Sequence, residues 1–112
     1  MKETNEDKHA KFIDSDDPTF LAVKGHFEDK EEAKTYIKNL AKAIAVVFQK
    51  HTVVNLRCIG AASLNNAIKA QIIAAGEISK KGVTLVGIPS FTTVIFNGNE
   101  ERTAIVLQII EK

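Results

Sequence analysis

Short apolar runs alternate with two long segments of helical periodicity along this chain. The apolar runs cover residues 19–24, 53–59, 83–96 and 102–110, and the helical segments lie between the first three runs. Strands joined through a helix are parallel with right-handed crossovers, whereas an Asn-Gly pair such as that at 97 and 98 is typical of an antiparallel hairpin. The sequence therefore predicts a two-layer α/β sandwich of order β-α-β-α-β-β, in which both helices cover one face of a mixed four-stranded sheet.

The first helical segment begins after Asp29 and runs to about Lys50, with Glu32 completing a capping-box pattern. Its apolar residues recur at i+3 and i+4, which predicts a single buried stripe. The stripe consists of Ala33, Tyr36, Ile37, Leu40, Ala41, Ile44, Val47 and Phe48. Lysines recur every four residues on another face, which is either a solvated surface or a binding surface. These lysines are Lys30, Lys34, Lys38 and Lys42.

The second helical segment opens with the stretch GAASLNNAIKA, residues 60–70. Ser63 is a good N-cap residue and Gly76 a good C-cap residue, although the helical pattern extends to Ile78. The predicted buried face consists of Leu64, Ala67, Ile68, Ile72 and Ala75.

The two last strands carry a proline and an unusually apolar face. Pro89 removes a ladder donor, which predicts an edge strand or a bulge at that point. The final strand is apolar on both sides, and the face that carries Ala104, Val106 and Ile110 needs cover beyond the helices. Because a large exposed apolar patch is rare on a monomer, we expect a homodimer.

Composition narrows the class of protein. The chain has 112 residues, enough for one domain, and its only cysteine, Cys58, lies in a strand pattern where a small buried hydrophobe is expected. No apolar stretch approaches the ~20 residues of a membrane span, and the N-terminus lacks the apolar core of a signal peptide. We expect a cytoplasmic protein, or a nuclear or nucleoid-associated one if its partner is DNA. Residues 1–17 predict a flexible acidic tail, and residues 18–112 the folded domain.

No residue pattern in the chain predicts catalysis. The sequence lacks a P-loop, a G-x-S-x-G motif and a G-x-G-x-x-G motif, and His9, His26 and His51 have no paired Cys or His at metal-ligand spacing. We therefore expect a protein that is not an enzyme and needs neither a metal nor a cofactor.

Positive charge is concentrated in the middle of the chain, although the whole chain carries only +1. Residues 34–81 have a net charge of +7, whereas residues 1–18 have a net charge of −3. A local field of one sign attracts anionic ligands even when the average charge is near zero.

The start of the second helix is a candidate anion site. Backbone N–H groups at a helix N-terminus bind anions, and the small residues of the GAAS turn leave room for one. Asn65, Asn66 and Lys69 extend that surface with two amides and a cation. Lys24 ends the first strand and Gly60 the second, so both loops should lie at the carboxyl edge of the sheet, where ligands of open α/β sheets gather.

Three motifs, in this order, resemble the stage V sporulation protein S family: IGAASLNNAIKA, GVTLVGIPSFT and ERTAIVLQII. The resemblance covers about residues 19–112 and implies the Alba-like fold, together with a dimer that binds DNA or RNA. It implies contacts from the loop after the first strand, the turn into the second helix, and the hairpin. In this chain those positions are Lys24, His26, Gly60, Ser63, Asn65, Asn66, Lys69 and Arg102.

We therefore predict a non-catalytic, homodimeric nucleic-acid-binding protein, with regulation of gene expression or development as its implied role. Arg57 is either a further phosphate contact or the partner of a carboxylate on the sheet. Because no cation precedes Lys69 in the turn, dense coating of DNA is not expected. Two alternatives remain: an assembly protein without nucleic acid, and a regulator that binds a small anion or nucleotide at the GAAS turn.

Overall fold

The computed structural model describes residues 16–112 and confirms the predicted order of elements. The strands are β1 (Phe20–Val23), β2 (Val53–Cys58), β3 (Leu85–Phe96) and β4 (Glu100–Glu111). The helices are α1 (Lys30–His51) and α2 (Ala61–Ser79). The predicted acidic tail lies outside the described residues except for Asp16 and Asp17.

The four strands form one mixed sheet in the order β1-β2-β4-β3. β1 and β2 are parallel, as their crossover through α1 requires, and β4 is antiparallel to both of its neighbours. The long hairpin places β4 in the interior of the sheet and β3 at its edge. Both expectations for β3 are confirmed, because Pro89 lies in this edge strand and the hairpin turns at Asn97 and Gly98. Both turn residues have positive φ, 52° and 84°, which Asn and Gly adopt at low cost.

The core lies between the helices and one face of the sheet. Leu21, Leu56 and Ile109 are fully buried at its centre, and the register sets Leu21 beside Leu56 and Val54 beside Ile109. α1 buries the predicted side, with Leu40 and Ile44 fully enclosed. Asp29 caps α1 by accepting a hydrogen bond from the Glu31 N–H at 2.8 Å, and the helix ends at Thr52 in the left-handed region. The helical pattern of this segment was therefore sufficient to predict its ends and its buried side.

α2 buries a different face from the one predicted. Its buried residues are Ser63, Asn66, Ala67, Ala70, Ala74 and Ile78. Of the predicted face, Ala67 is buried, Leu64 and Ala75 are partly buried against the core, and Ile68 and Ile72 are exposed. The prediction is wrong for the two isoleucines, because the small residues let the helix axis approach the sheet and α1 and the larger side chains do not fit in that narrow space. The helix also continues past Gly76 to Ser79.

The sheet face opposite the helices combines buried and exposed apolar residues. Val94, Ala104 and Val106 lie on this face and are buried, whereas Ile88 on the same face is 49% exposed. The apolar surface left for a partner here is smaller than the strand pattern predicted, and the homodimer stays a prediction. Asn55 is also buried here; its amide N–H donates to Thr19 Oγ1 at 3.0 Å, and its carbonyl oxygen accepts from Gln108 Nε2 at 3.2 Å. The centre of this face is therefore partly polar.

Candidate nucleic-acid interface

The loop after β1 and the turn into α2 meet at the carboxyl edge of the parallel strands. Val23 and Cys58, the last residues of β1 and β2, are register partners, so the chain leaves both strands at the same level. The β1–α1 loop, residues 24–29, then runs beside the first turns of α2. The predicted juxtaposition of these two segments is what the structure shows.

α2 begins at a glycine rather than at a side-chain cap. Gly60 has φ 89°, a conformation that glycine adopts without strain, and it is the N-cap residue with no side-chain hydrogen bond. Ser63 lies inside the first turn, is buried, and donates its hydroxyl to the carbonyl oxygens of Ile59 at 2.9 Å and Gly60 at 3.1 Å. The prediction that Ser63 caps the helix is therefore wrong. Its hydroxyl is used within the turn, and the first amides of the helix remain without intrahelical partners.

A buried asparagine holds the β1–α1 loop against α2. Asn66 is only 7% exposed, and its side-chain amide donates to the carbonyl oxygens of Lys24 at 3.0 Å and Gly25 at 2.9 Å. The one amide group therefore binds two consecutive carbonyl oxygens of the β1–α1 loop, more than 40 residues earlier in the chain. Asn66 therefore positions the loop and does not present its amide to a ligand.

Gly25 permits the close approach of the loop to the helix start. A Cβ atom on Gly25 would lie 2.9 Å from the backbone nitrogen of Ser63 and 3.2 Å from the Cβ of Ala62. Both atoms belong to the first turn of α2, which cannot yield as a flexible side chain could. Any larger residue at this position would push the loop away from the helix N-terminus.

The β1–α1 loop carries a small aromatic cluster of Lys24, Phe27 and Tyr36. The Lys24 ammonium lies 4.6 Å from the centre of the Phe27 ring, and the Phe27 and Tyr36 rings are tilted with centres 4.9 Å apart. The backbone N–H of Lys24 donates to the Tyr36 hydroxyl at 2.7 Å. Burial raises the pKa of Tyr36, so the phenol stays a neutral hydrogen-bonding group. The cluster fixes the base of Lys24 while its charged end remains exposed.

The charges at this edge are mixed, because Glu28 and Glu32 lie beside Lys24 whereas the start of α2 carries no carboxylate. The first turn of α2 contains no acidic residue, so the positive end of its dipole is not compensated there. Asn65 and Lys69 are exposed one helical turn apart. Lys69 follows Asn66 by three residues, which places it on the side of α2 that faces the β1–α1 loop. The start of α2 and the loop that begins with Lys24 are therefore in contact, and Lys69 lies further along the same helix.

The two predicted arginines lie away from this group. Arg57 is half-buried on β2 and belongs to the sheet face opposite the helices, where Ala22 and Val106 are its register partners. Arg102 lies on the hairpin, with its guanidinium 3.5 Å from a Glu100 carboxylate oxygen and 4.9 Å from the Phe96 ring centre. Both arginines therefore belong to the sheet face opposite the helices.

Within residues 16–112 no group of three or more His, Cys, Asp or Glu side chains is arranged to hold a metal ion. Over the same residues, neither helix is long and apolar enough to cross a membrane. Cys58 is buried in the core, and burial raises its pKa to about 11, so its thiol is protonated at neutral pH.

Comparison with protein families agrees with this architecture. The family model of stage V sporulation protein S (SpoVS) matches residues 30–112, which is most of the chain. The chain belongs to this family. The SpoVS match begins at Lys30, the first residue of α1, and runs through β4 to the last residue. It therefore includes the turn into α2 but not Lys24, Gly25 or His26.

Sequence reasoning missed three residues that organise this edge of the SpoVS-family domain. The sequence pattern singles out neither Gly25 nor Phe27, and it assigns Tyr36 only to the apolar stripe of α1. A glycine directly after a strand that ends at the ligand-binding edge is a signal that could have suggested a close approach. The Phe27–Tyr36 contact has no local signal, because it depends on where α1 passes the end of β1.

Proposed function

We propose that this protein is a non-catalytic nucleic-acid-binding protein that acts as a homodimer. The observation that supports binding most directly is the assembled carboxyl edge. There the start of α2, whose first turn holds no acidic residue, meets the loop that begins with the exposed Lys24, and the exposed Lys69 lies further along α2. Separate positive groups suit a chain of phosphates better than they suit a single compact anion.

The small number of cations sets the expected strength of binding. Each phosphate that is neutralised releases counterions, so log affinity falls with log salt by roughly 0.9 per contact on duplex DNA and roughly 0.7 on single strands. Two lysines and one helix dipole are available, and Glu28 and Glu32 beside Lys24 oppose them, so we expect a shallow salt dependence and dissociation constants on the order of 10⁻⁴ to 10⁻⁶ M.

A lysine comparison tests the location of this surface. Lys69→Ala should weaken binding and reduce the salt slope by about one contact, because an exposed phosphate ligand is lost while the buried side of α2 is unchanged. Lys81→Ala is the matched control, since Lys81 is also exposed but follows the opposite end of α2. Fluorescence anisotropy with labelled DNA and RNA over a range of salt measures both effects. Equal slopes for the two variants would place the phosphate contacts elsewhere.

The exposed flank of α2 supports the dimer. Ile68 and Ile72 are 40% and 65% exposed on the side of α2 next to β3, where the Gln71 side chain packs on Gly87. Phe91 lies on the same side of β3 as Gly87 and is 81% exposed. An exposed row of large apolar side chains beside an edge strand is typical of a protein interface. We propose that a second copy of this chain covers it.

A charge on this flank tests the dimer. Ile72→Asp should give a folded monomer, because the residue is exposed in the single chain and a buried aspartate would oppose association. Ile88→Asp is the matched control, since Ile88 is 49% exposed on the opposite face of β3. Sedimentation equilibrium of the three proteins measures the effect. A wild-type protein that sediments as a monomer at high concentration would refute the dimer.

A second candidate function is assembly without nucleic acid. Phe91 and Ile95 are 81% and 62% exposed on the hairpin, far more than a binder of phosphates alone requires. If the wild-type protein is oligomeric but binds neither DNA nor RNA at low salt, this second function replaces the first.

A further inference from the structure

A groove beside the candidate phosphate edge has a chemistry that phosphate contacts do not explain. It has a volume of about 560 Å³, is open to solvent, and is lined by Lys24, His26, Phe27, Glu28 and Glu32. Lys24 belongs to both the groove and the phosphate edge, so a ligand could occupy the two together. The groove also contains an aromatic ring and two carboxylates, which a phosphate does not need.

The charges of the groove select the class of ligand. Glu28 lies at the end of the β1–α1 loop and Glu32 in the first turn of α1; both are exposed, and their carboxylates oppose the entry of a phosphate. Lys24 in turn opposes a cationic ligand. A neutral, flat ligand that donates hydrogen bonds from its edge satisfies all of these groups, because carboxylates accept such bonds and the Phe27 ring offers a stacking surface.

We propose, on the basis of the proposed function, that this groove receives one unpaired base of a single-stranded nucleic acid, and that it favours a base with an exocyclic amino group. The base stacks on Phe27, and its amino group donates to Glu28 or Glu32. The neighbouring phosphates lie along Lys24 and the start of α2. An unpaired base can enter such a groove, whereas a base in a duplex cannot without being flipped out of its stack.

Lys24 must leave the Phe27 ring when a base enters. Its ammonium now lies 4.6 Å from the ring centre, an exposed contact of the weaker cation–π class. Stacking of a base on an aromatic side chain is the stronger interaction, and the released ammonium gains a phosphate partner. The backbone of Lys24 stays in place during this exchange, because its N–H is bonded to Tyr36 and its carbonyl oxygen to Asn66.

Cytosine and uracil provide a matched pair of ligands. The two rings have the same size, but cytosine carries an amino donor where uracil carries a carbonyl acceptor. Oligocytidylate and oligouridylate of equal length also differ at N3, which is an acceptor in cytosine and an N–H donor in uracil. A uracil can therefore offer the carboxylates one donor from its ring, whereas cytosine offers the two N–H bonds of its amino group. We expect the wild-type protein to bind oligocytidylate about tenfold more tightly, the size of one good base-edge contact.

Substitutions in the groove separate base reading from stacking. Glu28→Gln combined with Glu32→Gln should reduce the ratio of the two affinities towards one, while Glu31→Gln, a neighbour that does not line the groove, should leave the ratio unchanged. Phe27→Leu should weaken both single strands by about tenfold and leave a duplex RNA unaffected. Phe27→Tyr keeps the ring and should restore single-strand binding.

The outcomes separate this inference from the proposed function. If the protein binds duplex and single strands but does not distinguish the two oligonucleotides, the function stands and the base reading is refuted. If Phe27→Leu weakens duplex and single strands equally, the ring only packs on Tyr36 and the stacking is refuted. If no nucleic acid binds at low salt, the proposed function fails and this inference fails with it. Thermal unfolding of every variant identifies any that does not fold. If Phe27→Leu does not fold, the single-strand and duplex affinities of Phe27→Tyr are compared with those of the wild type instead.

Discussion

Replacing Asn66 with alanine tests whether one buried amide holds the β1–α1 loop in place. The substitution removes two hydrogen bonds, to the carbonyl oxygens of Lys24 and Gly25. Each is worth about 0.5–1.5 kcal/mol net, and the abandoned carbonyls lie partly out of reach of water. Alanine is a better helix former than asparagine, and this offsets the lost free energy of unfolding by a few tenths of a kcal/mol. We expect a loss of about 2 kcal/mol in the free energy of unfolding, and a fall in melting temperature of about 10 °C.

The neighbouring asparagine provides the control for this experiment. Asn65 is exposed on the same turn of α2, so Asn65→Ala should leave the free energy of unfolding within about 0.5 kcal/mol of the wild type. Urea denaturation followed by circular dichroism measures both variants under the same conditions. If Asn66→Ala costs no more than Asn65→Ala, the loop is held by other contacts and the argument for a built edge is refuted.

Two further predictions concern packing. Gly25→Ala should destabilise the protein by about 1–3 kcal/mol, because its methyl group would press on the backbone of the first turn of α2. Gly76→Ala should stabilise the protein by about 0.5–1 kcal/mol, because Gly76 lies inside α2 and no atom is near the new Cβ. Thermal unfolding of both variants measures whether the two changes in stability have opposite signs. Cys58 should react with a thiol reagent at pH 8 no faster than the protein unfolds, because it is buried and burial raises its pKa to about 11. Rapid labelling of the native protein, followed by absorbance, would contradict that placement.

The parts of the fold that the sequence predicted are those whose signals are local. α1 has large apolar residues at one phase only, so its buried side follows from spacing. The hairpin depends on Asn97 and Gly98, both of which adopt positive φ at the turn. Pro89 could not donate to an inner strand and is found at the edge. In each case the residue type itself restricts the backbone or the environment.

The buried face of α2 could not be predicted in the same way. Spacing alone predicts a face on which Ile68 and Ile72 lie beside Leu64, Ala67 and Ala75. The structure buries Ala67, Ala70 and Ala74, because two helices and a sheet meet closely at that line. Which flank is inside depends on the separation of the layers, and that separation is a property of the whole fold rather than of the segment.

The candidate site shows the same division between local and distant determinants. Lys24, Lys69 and the turn at Gly60 were found from strand ends and a helix start, which are local features. The role of Asn66 could not be predicted from local features. Its partners are the carbonyl oxygens of Lys24 and Gly25, which precede it by 42 and 41 residues. From the sequence alone, an asparagine on a helix is assigned to the surface, because the position of the loop that it binds is not known.

The alanine face of α2 and the proposed binding edge depend on each other. Small residues at Ala67 and Ala70 let α2 approach the sheet and α1 closely, and this approach brings the first turn of the helix against Gly25 and places Asn66 within reach of the loop. Larger buried residues would move the helix outward, lengthen the Asn66 hydrogen bonds and separate Lys69 from Lys24. The same approach excludes Ile68 and Ile72 from the core and leaves them for another surface. One packing choice therefore accounts both for the contact between α2 and the β1–α1 loop and for the exposed apolar flank.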